Sequence, residues 1–519
     1  MQRASAGTAE RSGDRAGASQ RLVAVVDVGS NTVRLEMFRA STAGAVRAVD
    51  ERKEVPRLGL GTLHDGSLSP EAMTRGVAAL RRFGSVLGEL GAARVFAVAT
   101  SAVRDAPNGP EFLSRVQRSA GLTLRVLSGV EEARYAYLGV ASAWELSNDL
   151  VCDLGGGSLQ VVEVRRGRLQ NSVSLPLGAL RLTQRFLVND PPKERELDRL
   201  REGVRDTLRA SLRAFGGSGY RIFGVGGSVR ALARASIDLR DYPIARVHGY
   251  TLRERDLEAL EELLVDMPAA KRRAIPGIGA DRADVILAGL VVFQELLRAA
   301  EAEGIVVSGT GIREGVALEA IGAALPVPAD ELVQRSVEAA ADGLVFDLVH
   351  GERVAAVAGA LFDLLRPVHR GGVSERRALT VAAWMHDAGV SVDIWRHARH
   401  SAYLLRNIPL WGLDQREVLL ASMAAYLHEG DDPPSAWRKE LLPILQSGDV
   451  ETARGLGAML QVSELLQAAQ PKFALLAGGK ALSVDLGDAA AAGLDPRALE
   501  KSRKAIERAF PLEVRYRDS

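Results

Sequence analysis

One pattern restricts the fold of this chain more than any other, and it occurs twice. The run Leu22 to Val28 is apolar and β-branched, carries Asp27 near its end, and stops at Gly29-Ser30-Asn31-Thr32 before alternating residues continue through Arg39. Leu150 to Leu154 repeats the arrangement: Asp153 comes just before Gly155-Gly156-Gly157-Ser158, and alternation resumes at Leu159 to Val164. A buried-type run, a tight glycine turn and period-two alternation spell two strands joined by a hairpin. Two such units, each with an Asp before its turn, predict an internally duplicated fold whose turns face each other across a cleft.

The intervening sequence supports an α/β class. Helical periodicity covers about Pro70 to Leu90, a strand follows at Val95 to Ala99, and another helix starts near Pro110. Tyr220 to Val225 runs into Gly226-Gly227-Ser228, and Gly304 to Val307 runs into Ser308-Gly309-Thr310-Gly311; each then enters a helical pattern. Beyond about Leu325, near Pro326 and Pro328, strand signals become rare and amphipathic helices dominate. At ~150 residues per domain the 519 residues exceed one core. The expected division is a disordered tail over 1–20, two α/β lobes over 21–135 and 136–324, and a helical domain over 325–519.

Charge and cysteine usage exclude several classes. The 66 basic and 65 acidic residues leave a net charge of +1, so no overall field draws the chain to nucleic acid or an anionic membrane, and a polyanion must be met by a local basic site. The single cysteine, Cys152, cannot form an internal disulfide and reads as a buried thiol. Residues 1–20 lack the apolar core of a secretory signal, and no segment offers ~18 uninterrupted apolar residues. A cytoplasmic location is the expectation.

The turns carry chemistry suited to phosphate. Gly29, Ser30, Asn31 and Thr32 leave backbone amides free to converge on an anion, and Gly155, Gly156, Gly157 and Ser158 let the main chain approach a ligand that side chains would block. Asp27 and Asp153, at strand ends, suit a hydrated Mg2+ held against substrate phosphates. In Ser128-Gly129-Val130-Glu131-Glu132-Ala133-Arg134, two carboxylates sit at a helix start; one beside the phosphate cleft could orient or deprotonate water. Either Glu131 or Glu132 satisfies that reading.

Taken together, Asp27 to Thr32, Ser128 to Arg134, Asp153 to Ser158, Gly226-Gly227-Ser228 and Ser308 to Gly315 occur in the order that resembles the exopolyphosphatase and guanosine pentaphosphate phosphohydrolase family. The resemblance covers nearly the whole chain beyond residue 20. It implies an actin and sugar-kinase type (ribonuclease H-like) core of two lobes, a Mg2+-dependent site in the cleft, and a helical domain behind that serves substrate binding and dimerisation. It also implies that Glu132 is the catalytic glutamate, that Glu131 supports the turn, that Arg104 neutralises phosphate oxygens, and that Gly226, Gly227 and Ser228 join the phosphate-binding set. Polyphosphate is then the expected substrate, guanosine pentaphosphate the runner-up, and a phosphate or nucleotide sensor the reading of a different class. One position departs: the family usually has Glu two residues after the Ser of the second turn, where this chain has Gln160. Glutamine keeps the length and loses the charge, which puts metal affinity and rate in question.

In the helical region His350, His386-Asp387, His400 and His428 follow an order that resembles the metal-binding domain named for its His-Asp pair. The last ligand of such domains is normally Asp, and the matching stretch offers Glu464.

Overall fold

The computed structural model describes residues 22–517 apart from 41–43, 62–64, 90–93, 214, 217–218, 342, 345, 431–440, 442, 470, 477–479 and 487–493. The tail expected at 1–20 lies outside the described residues.

Both predicted hairpins form, with matching register. Strand β1 (Leu22–Val28) pairs antiparallel with β2 (Val33–Ala40), setting Val28 opposite Val33 and Asp27 opposite Arg34. With β3 (Val46–Glu54), β4 (Arg94–Ala99) and β5 (Arg125–Val126) they make a five-stranded sheet ordered β3-β2-β1-β4-β5. In the second half β6 (Asn148–Leu154) pairs antiparallel with β7 (Leu159–Arg165), setting Leu154 opposite Leu159 and Asp153 opposite Gln160. Read from its β8 edge, the six-stranded sheet runs β8 (Arg168–Leu175), β7, β6, β9 (Arg221–Val225), β11 (Gly304–Val307), β10 (Thr251–Arg253). In each sheet the strand that carries the Asp has an antiparallel hairpin partner on one side and a parallel strand on the other. The duplication read from sequence is therefore a duplication of topology. Burial on both faces explains the unbroken apolar runs: Val23, Ala24, Val25 and Val26 in β1 and Val151 and Cys152 in β6 are fully buried.

The two halves are not separate along the chain. The helix Gly129–Ala141 runs without a break through the boundary expected at 135/136. The helix Ile312–Ile321, which follows the last strand of the second sheet in the chain, returns to pack on the helix Gly129–Ala141 and on β1, with Val316 and Ala317 buried against Val23, Val25 and Phe38. The two helices cross at glycines. A Cβ on Gly139 would collide with the carbonyl oxygen of Gly311, and one on Gly315 with that of Tyr135. This close crossing fixes the helix that carries Glu131 and Glu132.

Beyond residue 325 the helices Ala329–Ala341, Leu348–His369, Val373–Met385, His397–Asn407, Gln415–Leu427 and Asp449–Leu466 enclose one apolar core. The helical expectation holds for this stretch, with one addition at its end. Strands β12 (Lys472–Leu476), β13 (Ala481–Asp485) and β14 (Glu513–Arg517) form a three-stranded sheet that buries Leu482, Val484 and Val514 against the same core. Each strand is five residues long, too short for its period to stand out from the surrounding helical pattern. The helical region meets the second sheet's half through Tyr242, whose hydroxyl donates to Gln415 Oε1 (2.7 Å), and through the Gln415 amide, which donates to the carbonyls of Arg246 and His248 (3.1 Å each). Among the described residues no helix is long and apolar enough to cross a membrane.

Because the backbone on both sides of the helix crossing has no room to move apart cheaply, Gly315→Ala should destabilise the chain by about 1–3 kcal/mol, the usual cost of overpacking a tight site. Urea melts measure it; a midpoint equal to that of the parent protein would show that the crossing is loose.

Candidate active site

The two glycine turns touch. A Cβ on Gly156 would lie 3.1 Å from Ser30 Cβ and 3.2 Å from Asn31 N, and one on Gly157 would lie 2.7 Å from Ser30 Oγ and collide with Ser101 Oγ. The first reason for glycine here is thus the opposite turn itself. Each hairpin is closed by its own bond, Gly29 N–H to Thr32 O and Gly155 N–H to Ser158 O (3.0 Å each). The carbonyls of Gly155 and Gly156 accept from Ala179, Leu180 and Arg181 N–H at the start of the helix Ala179–Phe186. Among the described residues the N–H groups of Ser30, Asn31, Gly156 and Gly157 meet no acceptor. Amides left in this state by a tight turn are the donor array that binds an anion.

A third turn completes the floor. Gly226 adopts φ +101°, and a Cβ there would lie 2.5 Å from Leu154 O and 3.0 Å from Asp153 Oδ1, so only glycine lets β9 turn past β6 into the helix Gly227–Leu239. The guanidinium of Arg282 lies directly against Gly227. Between the turns is a cavity of about 120 Å³ lined by Asp27, Gly29, Ser30, Asn31, Gly155, Gly156, Ser158, Gly226, Gly227, Asp153 and Glu132. Of the remaining residues expected at the site, Gly157 lies behind this wall against Ser30 and Ser101, Ser228 is buried against Gly289, and Arg104 binds Glu132. None of these three lines the cavity.

A larger cavity of about 470 Å³, lined by Phe38, Leu318, Leu332 and Trp411 among others, lies where the first sheet meets the helical region. It lacks the converging amides and paired aspartates, so the smaller cavity is the candidate site.

Asp153 is buried and Asp27 is half-buried, and no protein donor among the described residues hydrogen-bonds either carboxylate. Burial pushes both upward, Asp153 to about 6, with Asp27 adding to the shift of Asp153 and the charge of Arg230 opposing it. Two carboxylates largely withdrawn from water and without donors call for a cation, and a hard divalent ion suits all-oxygen ligands. The residues present therefore fit Mg2+.

Glu131 and Glu132 part company at the helix start. Glu131 caps it: Ser128 N–H donates to Glu131 Oε2 (2.8 Å) and Glu131 N–H to Ser128 Oγ (3.2 Å). Those bonds and the Arg125 guanidinium pull Glu131 down to about 2. Glu132, one residue on, turns to the cavity and is 2% exposed. Burial raises it to about 7 against the opposing pull of Arg104, whose guanidinium is ion-paired to Glu132 Oε1. Glu132 Oε2 accepts a hydrogen bond of 2.8 Å from the Gln160 amide, which also donates to Ser158 Oγ at 2.9 Å. The amide nitrogen of Gln160 thus faces Glu132, a donor's place and not a metal ligand's.

Four arginines at the cavity wall were not singled out from sequence: Arg34, Arg230, Arg282 and Arg313. Arg34 was within reach of the hairpin rule, because a turn of this length sets it opposite Asp27 and on the same face, as Gln160 is set opposite Asp153. Burial holds Arg230 below its usual range and Arg282 at about 10. Arg313 feels the same pressure, but Glu36, which it pairs with, and Glu314 and Asp27 hold it above its usual range. Arg282 comes from a segment that also ties the halves together: Asn31 Nδ2 donates to Asp281 O (3.0 Å), Lys53 pairs with Asp281 (2.5 Å) and Arg57 with Asp284 (2.5 and 3.0 Å). No local signal marks this segment.

A cleft between two duplicated α/β halves, floored by glycine turns and walled by buried carboxylates and arginines, defines a phosphate-processing site of the actin-like ATPase type. The comparisons agree. Residues 38–323 match the Ppx/GppA phosphatase family and residues 333–435 match domain III of Ppx/GppA phosphatase; the chain belongs to this family and is a phosphoanhydride hydrolase. It is similar to the crystal structure of the Aquifex aeolicus member of the Ppx/GppA family, with 32% identity over 58% of this chain and 97% of that one, at a TM-score of 0.50. It is similar to an exopolyphosphatase from Cytophaga hutchinsonii, with 26% identity over 59% of this chain and 99% of that one, at 0.55. An exopolyphosphatase-like protein is 31% identical over 58% of this chain and 98% of that one, at 0.54.

Gly156→Val places a branched side chain against Ser30 and Asn31 and should wedge the turns apart, weakening binding of the phosphoanhydride substrate by at least about tenfold while the helical region stays folded. Binding isotherms beside thermal melts read both effects; a folded variant of unchanged affinity would show that the contact between the turns is dispensable.

Proposed function

We propose that the chain is an exopolyphosphatase, releasing terminal orthophosphate from inorganic polyphosphate by attack of water that Glu132 activates. The observation that carries this reading is the buried carboxylate of Glu132 on the cavity wall, held on both oxygens by Arg104 and Gln160. Polyphosphate bears only phosphoryl groups, and the cavity of about 120 Å³ is far below the ~300–1,000 Å³ that encloses drug-sized ligands. It suits terminal phosphates, with the rest of the substrate outside.

In this reading the amides of Ser30, Asn31 and Gly156 hold the phosphate oxygens, and the guanidinium groups of Arg34, Arg230, Arg282 and Arg313 balance their charge. Asp27 and Asp153 would hold Mg2+, which when bound supplies further neutralisation of charge on the transferring phosphoryl group. Glu132 takes one proton from the attacking water as the new oxygen–phosphorus bond forms. The bridging bond to the penultimate phosphate breaks, leaving orthophosphate and a chain one unit shorter. Arg104 and the Gln160 amide keep the carboxylate aimed, since each binds one of its oxygens.

Phosphate release from polyphosphate, guanosine pentaphosphate and ATP, assayed side by side with Mg2+, tests the substrate. The largest kcat/KM is expected on polyphosphate; a larger value on guanosine pentaphosphate would reassign the substrate and keep the site, and release from none of them would leave a sensor.

The acid limb of the activity follows from Glu132. A general base works only when ionised, and with burial holding Glu132 at about 7, kcat/KM should fall about tenfold per pH unit as pH drops below about 7. Glu132→Gln should lose about 10²-fold or more in turnover with substrate affinity largely kept. A parent profile flat down to pH 5, or a variant at near-parent rate, would remove Glu132 from this role.

Gln160→Glu replaces an amide donor with a second carboxylate beside Glu132. At low Mg2+ the like charge should raise the Glu132 pKa further and move the acid limb to higher pH. Gain of activity at low Mg2+ would instead mean that the new carboxylate recruits the cation. Paired pH profiles at low and saturating Mg2+ separate these results.

A further inference from the structure

The cavity of about 470 Å³ between the first sheet and the helical region has no part in the chemistry of the cleft, and its volume falls within the ~300–1,000 Å³ of small-molecule sites. Close-packed interiors rarely leave a space of that size. A β-bulge shapes it. Between β2 and β3 the pairing skips Val49, so Ala48 stands opposite Phe38 and Val46 opposite Ala40. In an unbroken ladder Val49 and Arg47 would hold those two places, and residues directly opposite share a face. The extra residue therefore sets two apolar side chains of modest size on the face of Phe38 and moves Arg47 off it. Phe38, Val46 and Ala48 all line the cavity.

Most hydroxyls of the lining are already engaged. Ser142 Oγ donates to Gly139 O (2.7 Å), Ser336 Oγ donates to Val333 O (2.8 Å), and the hydroxyls of Thr310 and Ser308 bond each other (2.9 Å). The carboxylates are engaged as well, Glu36 by the Arg313 guanidinium and Glu314 by the N–H of Gly311 (2.7 Å). Two cations are less occupied. The Arg47 side chain has no hydrogen-bonding or ionic partner among the described residues, and its Nη1 lies 3.3 Å from where a Cβ on Gly343 would be. Arg335 pairs through Nη2 with Glu331, and its Nη1 lies 3.7 Å from where a Cβ on Gly44 would be. Gly44 and Gly343 both line the cavity, so both guanidinium groups stand at its wall.

The partition from the cleft is one layer of side chains. Glu314 lines both cavities, and Arg313 lines the cleft while its partner Glu36 lines the larger space.

We propose that this larger cavity binds a small molecule with an apolar body and one anionic head, and that its occupancy is felt in the cleft through Glu36 and Arg313. The body lies among Phe38, Leu318, Leu332 and Trp411, and the head meets Arg47 and Arg335. An aliphatic or aromatic carboxylate or sulfonate has that form. A polyphosphate does not, because the apolar wall would strip water from charges it cannot pair. Arg313 divides its charge between Glu36 and whatever occupies the cleft, so a ligand that changes the surroundings of Glu36 changes that division. The coupling rests on Arg313 meeting substrate phosphate, as in the reading above; the binding does not.

The probe is anilinonaphthalene sulfonate, an aromatic body with one anionic head that fluoresces in apolar surroundings, titrated into the full chain beside its neutral parent, phenylnaphthylamine. One saturable site per chain is expected for the sulfonate. Arg47→Gln should weaken the sulfonate by about tenfold and leave the neutral dye unchanged, which separates the head contact from the apolar one. Ala339→Trp, at a half-buried position of the lining, should fill the space and remove both dyes with the chain still folded by circular dichroism. Trp395→Ala, which trims the most exposed apolar side chain elsewhere in the helical region, should change neither. Calorimetry with imidodiphosphate, whose P–N–P bridge resists hydrolysis, reads the coupling. Saturating sulfonate should change its affinity by about twofold or more, and imidodiphosphate should change the affinity of the sulfonate by the same factor. Absence of a saturable site in the parent, unchanged sulfonate affinity in folded Arg47→Gln or Ala339→Trp, loss of binding in Trp395→Ala, or equal imidodiphosphate affinity with and without the dye would each overturn the proposal. Imidodiphosphate that fails to bind at all would overturn the cleft reading and the coupling with it, and the dye titrations would still decide the cavity.

Discussion

The contact between the two glycine turns governs the rest of the core. Hairpin ends can approach this closely only where one of them carries no Cβ at the point of contact, and Gly156 and Gly157 supply that against Ser30, Asn31 and Ser101. Among the described residues the approach leaves the amides of Ser30, Asn31, Gly156 and Gly157 without acceptors. An unmade hydrogen bond of a buried group costs about 1–3 kcal/mol, so an anion that fills this space recovers energy the fold has already given up. Because the same hairpin register sets Asp27 and Asp153 beside the turns, the free amides and the paired carboxylates come from one piece of geometry repeated twice.

Charge in the cleft is mixed and local. Asp27, Asp153, Glu132 and Glu314 share its wall with Arg34, Arg230, Arg282 and Arg313, in a chain whose overall charge is +1. Burial acts on both signs at once: it lifts the carboxylates and lowers Arg230 and Arg282, and the opposite charges restore part of each shift. Glu132 has the most balanced environment of the acids, since burial raises it while Arg104 lowers it and Gln160 donates to it. A carboxylate held near neutrality is suited to take a proton from water and to give it up again. Gln160, which sequence comparison made look like a missing metal ligand, is better understood as part of the support of Glu132.

The helical region has its own organising contact, the meeting of His350, His386 and His397 at Asp387.

The sequence by itself determined the duplicated hairpins, their register, and hence the placement of Asp27, Asp153 and the glycine turns, because strand pairing through a short turn is a local matter of period and turn chemistry. It marked the Glu131-Glu132 pair through the capping pattern and left open which of the two faces the substrate until a family resemblance chose. Tertiary structure decided what local pattern cannot carry. Helix phase and the tight crossing at Gly139 and Gly315 turn Glu132 inward, and the segment around Arg282 reaches the cavity from 250 residues beyond Asn31. Position within a helical turn puts His397, and not His400, beside Asp387. Such contacts depend on how separate elements pack, and the energy that selects them is shared among side chains distant in the chain, so no window of sequence contains it.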